Sequence, residues 1–186
     1  MDMILASASP RRKEILSHIL PHFSVCPAAG EEAPDLTLPP EGIVQALARQ
    51  KAEEVSSRFP ASLVLGADTI VWHEGRLLGK PKDAEDAARM LRSLSGKTHR
   101  VYTGWCLRGP GIDRCGAAVS EVEFNPLSEE FIVEYIAGGS PLDKAGAYGI
   151  QDDARLVRAY RGSYTNIVGL PEEELRAQLA ALGVIG

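Results

Sequence analysis

The segment Ser7-Ala8-Ser9-Pro10-Arg11-Arg12 gathers residue types that suit an anion. Met3 to Ala6 before it is a short apolar run of strand type, and Ser9-Pro10 reads as a helix cap followed by a proline at the first helical position. Where a strand hands over to a helix, the free backbone N–H groups and the positive end of the helix dipole attract negative charge. The serines add hydroxyl donors, and each guanidinium offers a fork that matches phosphate oxygens. The same residues equally describe a capped helix with solvated arginines. Asp68 is the second candidate. It is the first charge after Leu63-Val64-Leu65-Gly66-Ala67, a run with the character of a strand buried on both faces. A carboxylate at the carboxyl end of such a strand stands where open α/β sheets bind ligands, and it can hold a divalent ion or take a proton from water. An aspartate there is also an ordinary turn residue.

Charges of both signs accompany these two. Glu32 lies in a proline-rich segment, Cys26 to Pro40, that reads as an irregular surface loop, and it offers a second carboxylate. Lys80 in Gly79-Lys80-Pro81 and Lys51 offer cations for phosphate oxygens. Lys51 is the unusual one: Val44, Leu47, Ala48, Ala52 and Val55 mark the apolar stripe of a helix from Glu41 to about Ser57, and Lys51 falls on that inward face. An inward lysine costs desolvation energy unless an anion meets it, the alternative being a stem that snorkels to water. Two glycine-rich segments, Pro141 to Gln151 and Arg161 to Pro171, suit either ligand-facing loops or tight structural corners. The amide of Gln151 has both a donor and an acceptor for a nucleobase edge.

The elements that must place these residues alternate along the chain. After the first strand comes a helix with Ile15, Leu16, Ile19 and Leu20 on one face. Ile70-Val71-Trp72 extends the strand ending at Asp68-Thr69 into a hairpin turning at His73 to Arg76. Asp83 caps an amphipathic helix that Gly96 stops. Val101, Thr103, Trp105 and Leu107 alternate as a strand does, Gly109-Pro110-Gly111 turns, and Cys115 to Phe124 returns antiparallel. Ser128 caps another helix and Pro171 opens the last. Interleaved helices and strands with at least one hairpin give an α/β or α+β class around a mixed sheet.

Composition sets the outer bounds. The 186 residues, 45% hydrophobic and 24% charged, suit one globular domain spanning residues 1–186. A net charge of −5 argues against a nucleic-acid backbone as partner. No apolar run is long enough to span a membrane and the amino end lacks a signal-peptide pattern, so a cytoplasmic address is expected. Cys26, Cys106 and Cys115 form no CxxC pair, and packed, reduced thiols are expected. Walker-type, GxGxxG, HExxH and GxSxG patterns are absent.

Six ordered blocks carry a resemblance: Leu5 to Arg12, Gly66-Ala67-Asp68-Thr69, Gly79-Lys80-Pro81, Leu94 to His99, Asp143 to Gln151, and Gly162-Ser163-Tyr164 through Pro171. Together they resemble the Maf family of nucleotide pyrophosphatases. The resemblance implies a mixed α/β fold with a deep cleft between two lobes, similar to the inosine triphosphatase-like enzymes, and a homodimer. It implies hydrolysis of nucleoside triphosphates between the α- and β-phosphates with a divalent cation, magnesium, manganese or cobalt. By motif position Asp68 is the implied proton acceptor, Asp68 with Glu32 the metal-binding pair, and Ser7, Arg12, Lys51 and Lys80 the phosphate ligands. Arg11, Thr69 and Gln151 match the branch acting on dTTP and UTP, whereas the branch acting on 7-methyl-GTP has Asp-Gln in place of Asp68-Thr69. A nucleotide-binding regulator of septum formation and cell division is the implied alternative. Three departures from the family pattern stand out: Ser140 where glutamate is usual, Asp152-Asp153 in place of a glycine-containing turn, and Glu31-Glu32 in place of Asp-x-Asp/Glu.

Overall fold

Strand alternation and helix capping translate into a mixed sheet with flanking helices in the computed structural model, which describes residues 1–31, 33–139 and 141–186. Among these residues seven strands pair: β1 (Met3–Leu5), β2 (Ser24–Val25), β3 (Leu63–His73), β4 (Arg76–Leu78), β5 (Thr98–Gly109), β6 (Ile112–Phe124) and β7 (Val157–Arg161). Their order is β2-β1-β3-β5-β6-β7, with β4 on the same edge of β3 as β1. β1 runs parallel to β2 and β3; every other pairing is antiparallel. The helices are α1 (Pro10–Ile19), α2 (Pro40–Arg58), α3 (Ala84–Leu94), α4 (Glu129–Ala137), the short α5 (Tyr164–Val168) and α6 (Glu172–Ala181). Two 3₁₀ turns, Pro141–Asp143 and Ala145–Ala147, follow α4.

The cap signals act as read. Ser9, Asp83 and Ser128 accept the backbone N–H of Arg12, Asp86 and Phe131, closing the first turns of α1, α3 and α4. A two-residue turn at Pro110-Gly111 joins β5 to β6, with Gly111 at φ 70°. The strand carrying Asp68 runs on through Ile70-Val71-Trp72 to His73 and turns back as β4, as expected, because β5 pairs with it along almost its whole length, while its parallel partner β1 stops at Leu5. One expectation changes, that of the cysteines. The two-residue turn puts Cys106 directly opposite Cys115, with Cα atoms 4.1 Å apart, and the two form a disulfide rather than reduced thiols. Register depends on the turn, and no spacing rule for isolated cysteines contains it. Cys26 is a free thiol.

α2 crosses one face of the sheet at Gly66 and Gly104, where a Cβ would collide with the carbonyls of Ala48 and Val44. Side chains of Ile43, Val44, Ala48, Ala52 and Val55 close this interface against Val64, Ile70, Tyr102 and Cys106. The opposite face carries two separate apolar clusters. One lies under α1 and α6 and includes Leu16, Leu65, Trp105, Leu175 and Leu179. The other lies under α3 and α4 and includes Val71, Leu91, Leu94, Phe124 and Ile132. In the second cluster His99 is 2% exposed, its Nε2 is 2.6 Å from the Tyr148 hydroxyl, and its ring stands edge-on to Phe124.

Gly104→Ala is expected to force α2 off the sheet and to lower the unfolding free energy by about 1–3 kcal/mol, the range for overpacked cores. Urea denaturation measures it, and an unchanged midpoint would show that the helix tolerates the extra carbon. A second outcome follows from His99, whose pKa burial pushes down to about 3, with a smaller contribution from His73. The unfolded chain takes up this proton near the ordinary value of 6.5 and the folded chain does not until about 3. Stability is therefore whole above pH 6.5 and declines as pH falls through that window, by at most about 1.4 kcal/mol per pH unit. His99→Gln is expected to flatten the slope between pH 7 and 5 in the same measurement; an equal slope would assign it to other groups.

Candidate active site

The cleft forms at an interruption on one edge of β3. The last parallel bond there is Ala6 N–H to the Leu65 carbonyl, at 2.8 Å, and β4 begins pairing only at Val71. Between them Asp68, Thr69 and Ile70 of β3 border a cavity of about 620 Å³ instead of another strand. The chain leaving β1 turns at Ser7 into α1 across this gap, which puts the serine-arginine motif on its wall. Successive strand residues face opposite ways. Asp68 accordingly points toward α2, and Thr69 points toward α1 and α5.

Lys51 projects from α2 and its Nζ lies 2.6 Å from Oδ1 of Asp68, with side-chain exposures of 13% and 9%. Neither charge would be stable alone at that depth; together each offsets part of the other's desolvation, and the geometry requires the close helix approach at Gly66 and Gly104. The inward lysine of the helix stripe thus meets its anion. Lys51 also donates toward the Ala67 carbonyl at 3.5 Å.

Among the described residues Arg12 meets acceptors at three points. Its Nε donates to the Gly169 carbonyl at 2.9 Å, one terminal nitrogen to Ser7 Oγ at 3.2 Å and the other to Thr69 Oγ1 at 3.0 Å. Ser7 Oγ also accepts the Ser9 N–H at 3.2 Å. The guanidinium is therefore fixed in direction before any ligand arrives, which is how a fork becomes selective for a tetrahedral oxyanion.

The remaining candidates line the same cavity. Arg11 reaches Asp143 at 3.9 Å; Lys80 and Gln151 stand at the exposed rim; and the loop of Lys80 is tied to the second 3₁₀ turn by Gly146 N–H donating to the Gly79 carbonyl at 3.1 Å. Ser7, Arg11, Arg12, Lys51, Asp68, Thr69, Lys80 and Gln151 all border one cleft within a single chain. Glu32 lies outside the described residues, as does Ser140. Asp152, one of the two extra acids after Gln151, accepts from the Tyr135 hydroxyl at 2.6 Å and the Gly149 N–H at 3.1 Å and sits 3.5 Å from Lys144 Nζ. Its charge goes into the loop carrying Gln151.

Sequence reasoning missed residues at the cleft wall and behind it. Lys144 is buried between Asp143 and Asp152, and Thr103 and Asn166, both fully buried, lie directly behind Thr69. The signal for Thr103 resembled that for Lys51: it is the polar member of an otherwise apolar strand face, Val101-x-Thr103-x-Trp105-x-Leu107.

A hard divalent cation suits this donor set. Magnesium needs only one or two carboxylates when phosphate oxygens and water complete its shell, and Asp68 supplies one. Among the described residues, the group of three acidic or sulfur ligands brought within 4.8 Å of one another is Cys106, Asp113 and Cys115. The two sulfurs there are bonded to each other and none of the three borders the cleft, so it is not a competing centre.

Comparison with known proteins agrees with this architecture. Residues 2–182 match the family described as Maf-like protein. A dTTP/UTP pyrophosphatase of Thermococcus gammatolerans is 51% identical, covering 92% of this chain and 91% of its own. One from Agathobacter rectalis is 47% identical over 98% of both chains, and one from Koribacter versatilis 45% identical over 100% of this chain and 96% of its own. Among solved structures, the Staphylococcus aureus Ham1 protein aligns over 97% of this chain and 99% of its own with a TM-score of 0.58 at 14% identity, a likeness of fold.

Arg12→Lys keeps the charge but cannot reach Gly169, Ser7 and Thr69 together. The loss of these charged hydrogen bonds is expected to lower the unfolding free energy by about 1–3 kcal/mol. Equal urea midpoints for the two proteins would mean that the three acceptors are satisfied without the fork.

Proposed function

Since the chain belongs to the Maf-like family, we propose that it is a nucleoside triphosphate pyrophosphatase that cleaves dTTP and UTP between the α- and β-phosphates, releasing the monophosphate and pyrophosphate. The observation that carries this reading is the placement of Arg12, Lys51, Lys80 and Asp68 around one cavity of about 620 Å³, a size suited to a nucleotide. Relatives that match nearly the whole chain at 45–51% identity bear the name dTTP/UTP pyrophosphatase. No helix among the described residues is long and apolar enough to cross a membrane.

The roles proposed rest on position around the cavity, and that of Glu32 on motif position alone. Arg12, fixed on three acceptors, presents its guanidinium to the triphosphate beside Ser7 and the first turn of α1. Lys80 at the rim is placed for the outer phosphates, where it can stay solvated until substrate arrives. Lys51 balances Asp68 in the empty cleft and, on binding, meets phosphate charge as well. Asp68 is the proton acceptor for the attacking water. Asp68, with Glu32 as the second carboxylate, would hold a divalent cation, which when bound would supply charge neutralisation on the phosphate oxygens. Arg11, Thr69 and Gln151 distinguish the base.

The deciding experiment is magnesium-dependent release of pyrophosphate from dTTP, UTP, CTP and 7-methyl-GTP. Pyrophosphate from dTTP and UTP is expected, with Asp68→Asn reducing turnover by about 10²–10⁴, the usual worth of a general base, while circular dichroism stays native. Orthophosphate as product, preference for 7-methyl-GTP, or nucleotide binding without hydrolysis would each refute the proposal.

A further inference from the structure

Behind Thr69 a buried chain of hydrogen bonds crosses the sheet, and its proton directions can be assigned from the partners alone. Thr69 and Thr103 are opposite residues of β3 and β5, with hydroxyl oxygens 2.9 Å apart. Thr103 Oγ1 is also 2.9 Å from the backbone carbonyl of Asn166, and a carbonyl can only accept. In the short helix that contains Asn166, the N–H groups of Gly169 and Leu170 both go to Thr165, not to that carbonyl. Thr103 is fully buried, and with its proton turned the other way two oxygens would face each other 2.9 Å apart with no hydrogen between. The proton of Thr103 is therefore committed to Asn166.

Thr69 must in consequence give its own proton to Thr103. Asn166 is clamped in turn: its amide nitrogen donates to the Val101 carbonyl at 3.2 Å and to Ser120 Oγ at 2.9 Å, and Ser120 donates to the Ser163 carbonyl at 2.9 Å. On its other side Thr69 Oγ1 accepts from Arg12, a group that cannot accept in return. A hydroxyl has one proton and two lone pairs. With the proton and one lone pair spent, what Thr69 presents to the cleft is a single acceptor.

From this geometry we infer that Thr103 and Asn166 are specificity-determining positioning residues, locking Thr69 as an acceptor so that the site selects a pyrimidine whose ring nitrogen carries hydrogen. Uracil and thymine offer that N3–H between two carbonyls, whereas cytosine has a bare lone pair at the same ring position and meets Thr69 acceptor to acceptor. The inference rests on the proposed reading of this cleft as the base- and phosphate-binding site. A freely rotating hydroxyl would accept from one base and donate to the other; the relay removes that choice.

The test compares UTP with CTP in Thr103→Val, Thr103→Ser and Thr69→Val, with native circular dichroism required of each. The unaltered protein is expected to favour UTP over CTP in kcat/KM. Thr103→Val frees the Thr69 proton and should shrink that preference by about tenfold, the worth of one hydrogen bond, through a lower KM for CTP with the KM for UTP and kcat little moved. Thr103→Ser, which keeps the hydroxyl, should restore the preference. A merely structural loosening would instead lower both substrates alike. Calorimetric binding of UMP and CMP gives the same comparison without turnover. If Thr103→Val does not fold, Thr69→Val decides, because it removes the acceptor at the partly exposed end of the chain. An unchanged UTP-to-CTP ratio in either folded valine variant would overturn the relay while leaving the pyrophosphatase activity standing. Failure of the unaltered protein to bind or hydrolyse any pyrimidine nucleotide would overturn both.

Discussion

The ion pair between Lys51 and Asp68 sets the terms for the rest of the molecule. Burying either charge alone is expensive, so the helix and the strand that carry them must approach within the reach of one short side chain and one long one. That approach exists because Gly66 and Gly104 leave no Cβ between α2 and the sheet. The glycines of the strand are thus part of the site, although neither touches its chemistry. α2 in turn packs Ile43, Val44, Ala48, Ala52 and Val55 around the contact, so an apolar helix interface delivers an inward lysine to the cleft.

The cleft itself is a defect in an otherwise continuous sheet. A short β1 and a short β4 flank the same edge of β3 and do not meet, and the intervening edge faces the cavity. Alternation along β3 then divides the labour. Asp68 faces the cation on α2, and Thr69 faces the arginine of α1 and the buried relay that ends in α5. Two neighbouring residues thus report to opposite layers of the protein. Arg12 ties the second layer together, since its three acceptors belong to the turn before α1, to β3 and to the end of α5.

Local signals carried much of this in the sequence. Capping residues, the proline at the start of α1, the hairpin turn at Pro110-Gly111 and the stripe of α2 follow from backbone and packing rules that act over a few residues. What those rules could not reach is register and termination. The edge strands β2 and β7 and the five-residue α5 depend on partners far away in the chain, and the pairing of Cys106 with Cys115 depends on the register of their hairpin. β2 and β7 are short and largely exposed, so they lack the apolar alternation by which strands are read.

Sequence by itself determined which side chains have the chemistry: a serine-arginine motif at a strand-to-helix turn, an aspartate after a buried run, and a lysine on the wrong side of its helix. It also determined the family, through six blocks in order. Tertiary structure alone decided that these residues share one cavity, that Lys51 answers Asp68, and that the hydroxyl of Thr69 is committed through Thr103 to Asn166. The reason is physical. A residue's type is local, but the direction of a hydrogen bond and the neutralisation of a buried charge belong to pairs of atoms, and the chain brings those pairs together only when it folds.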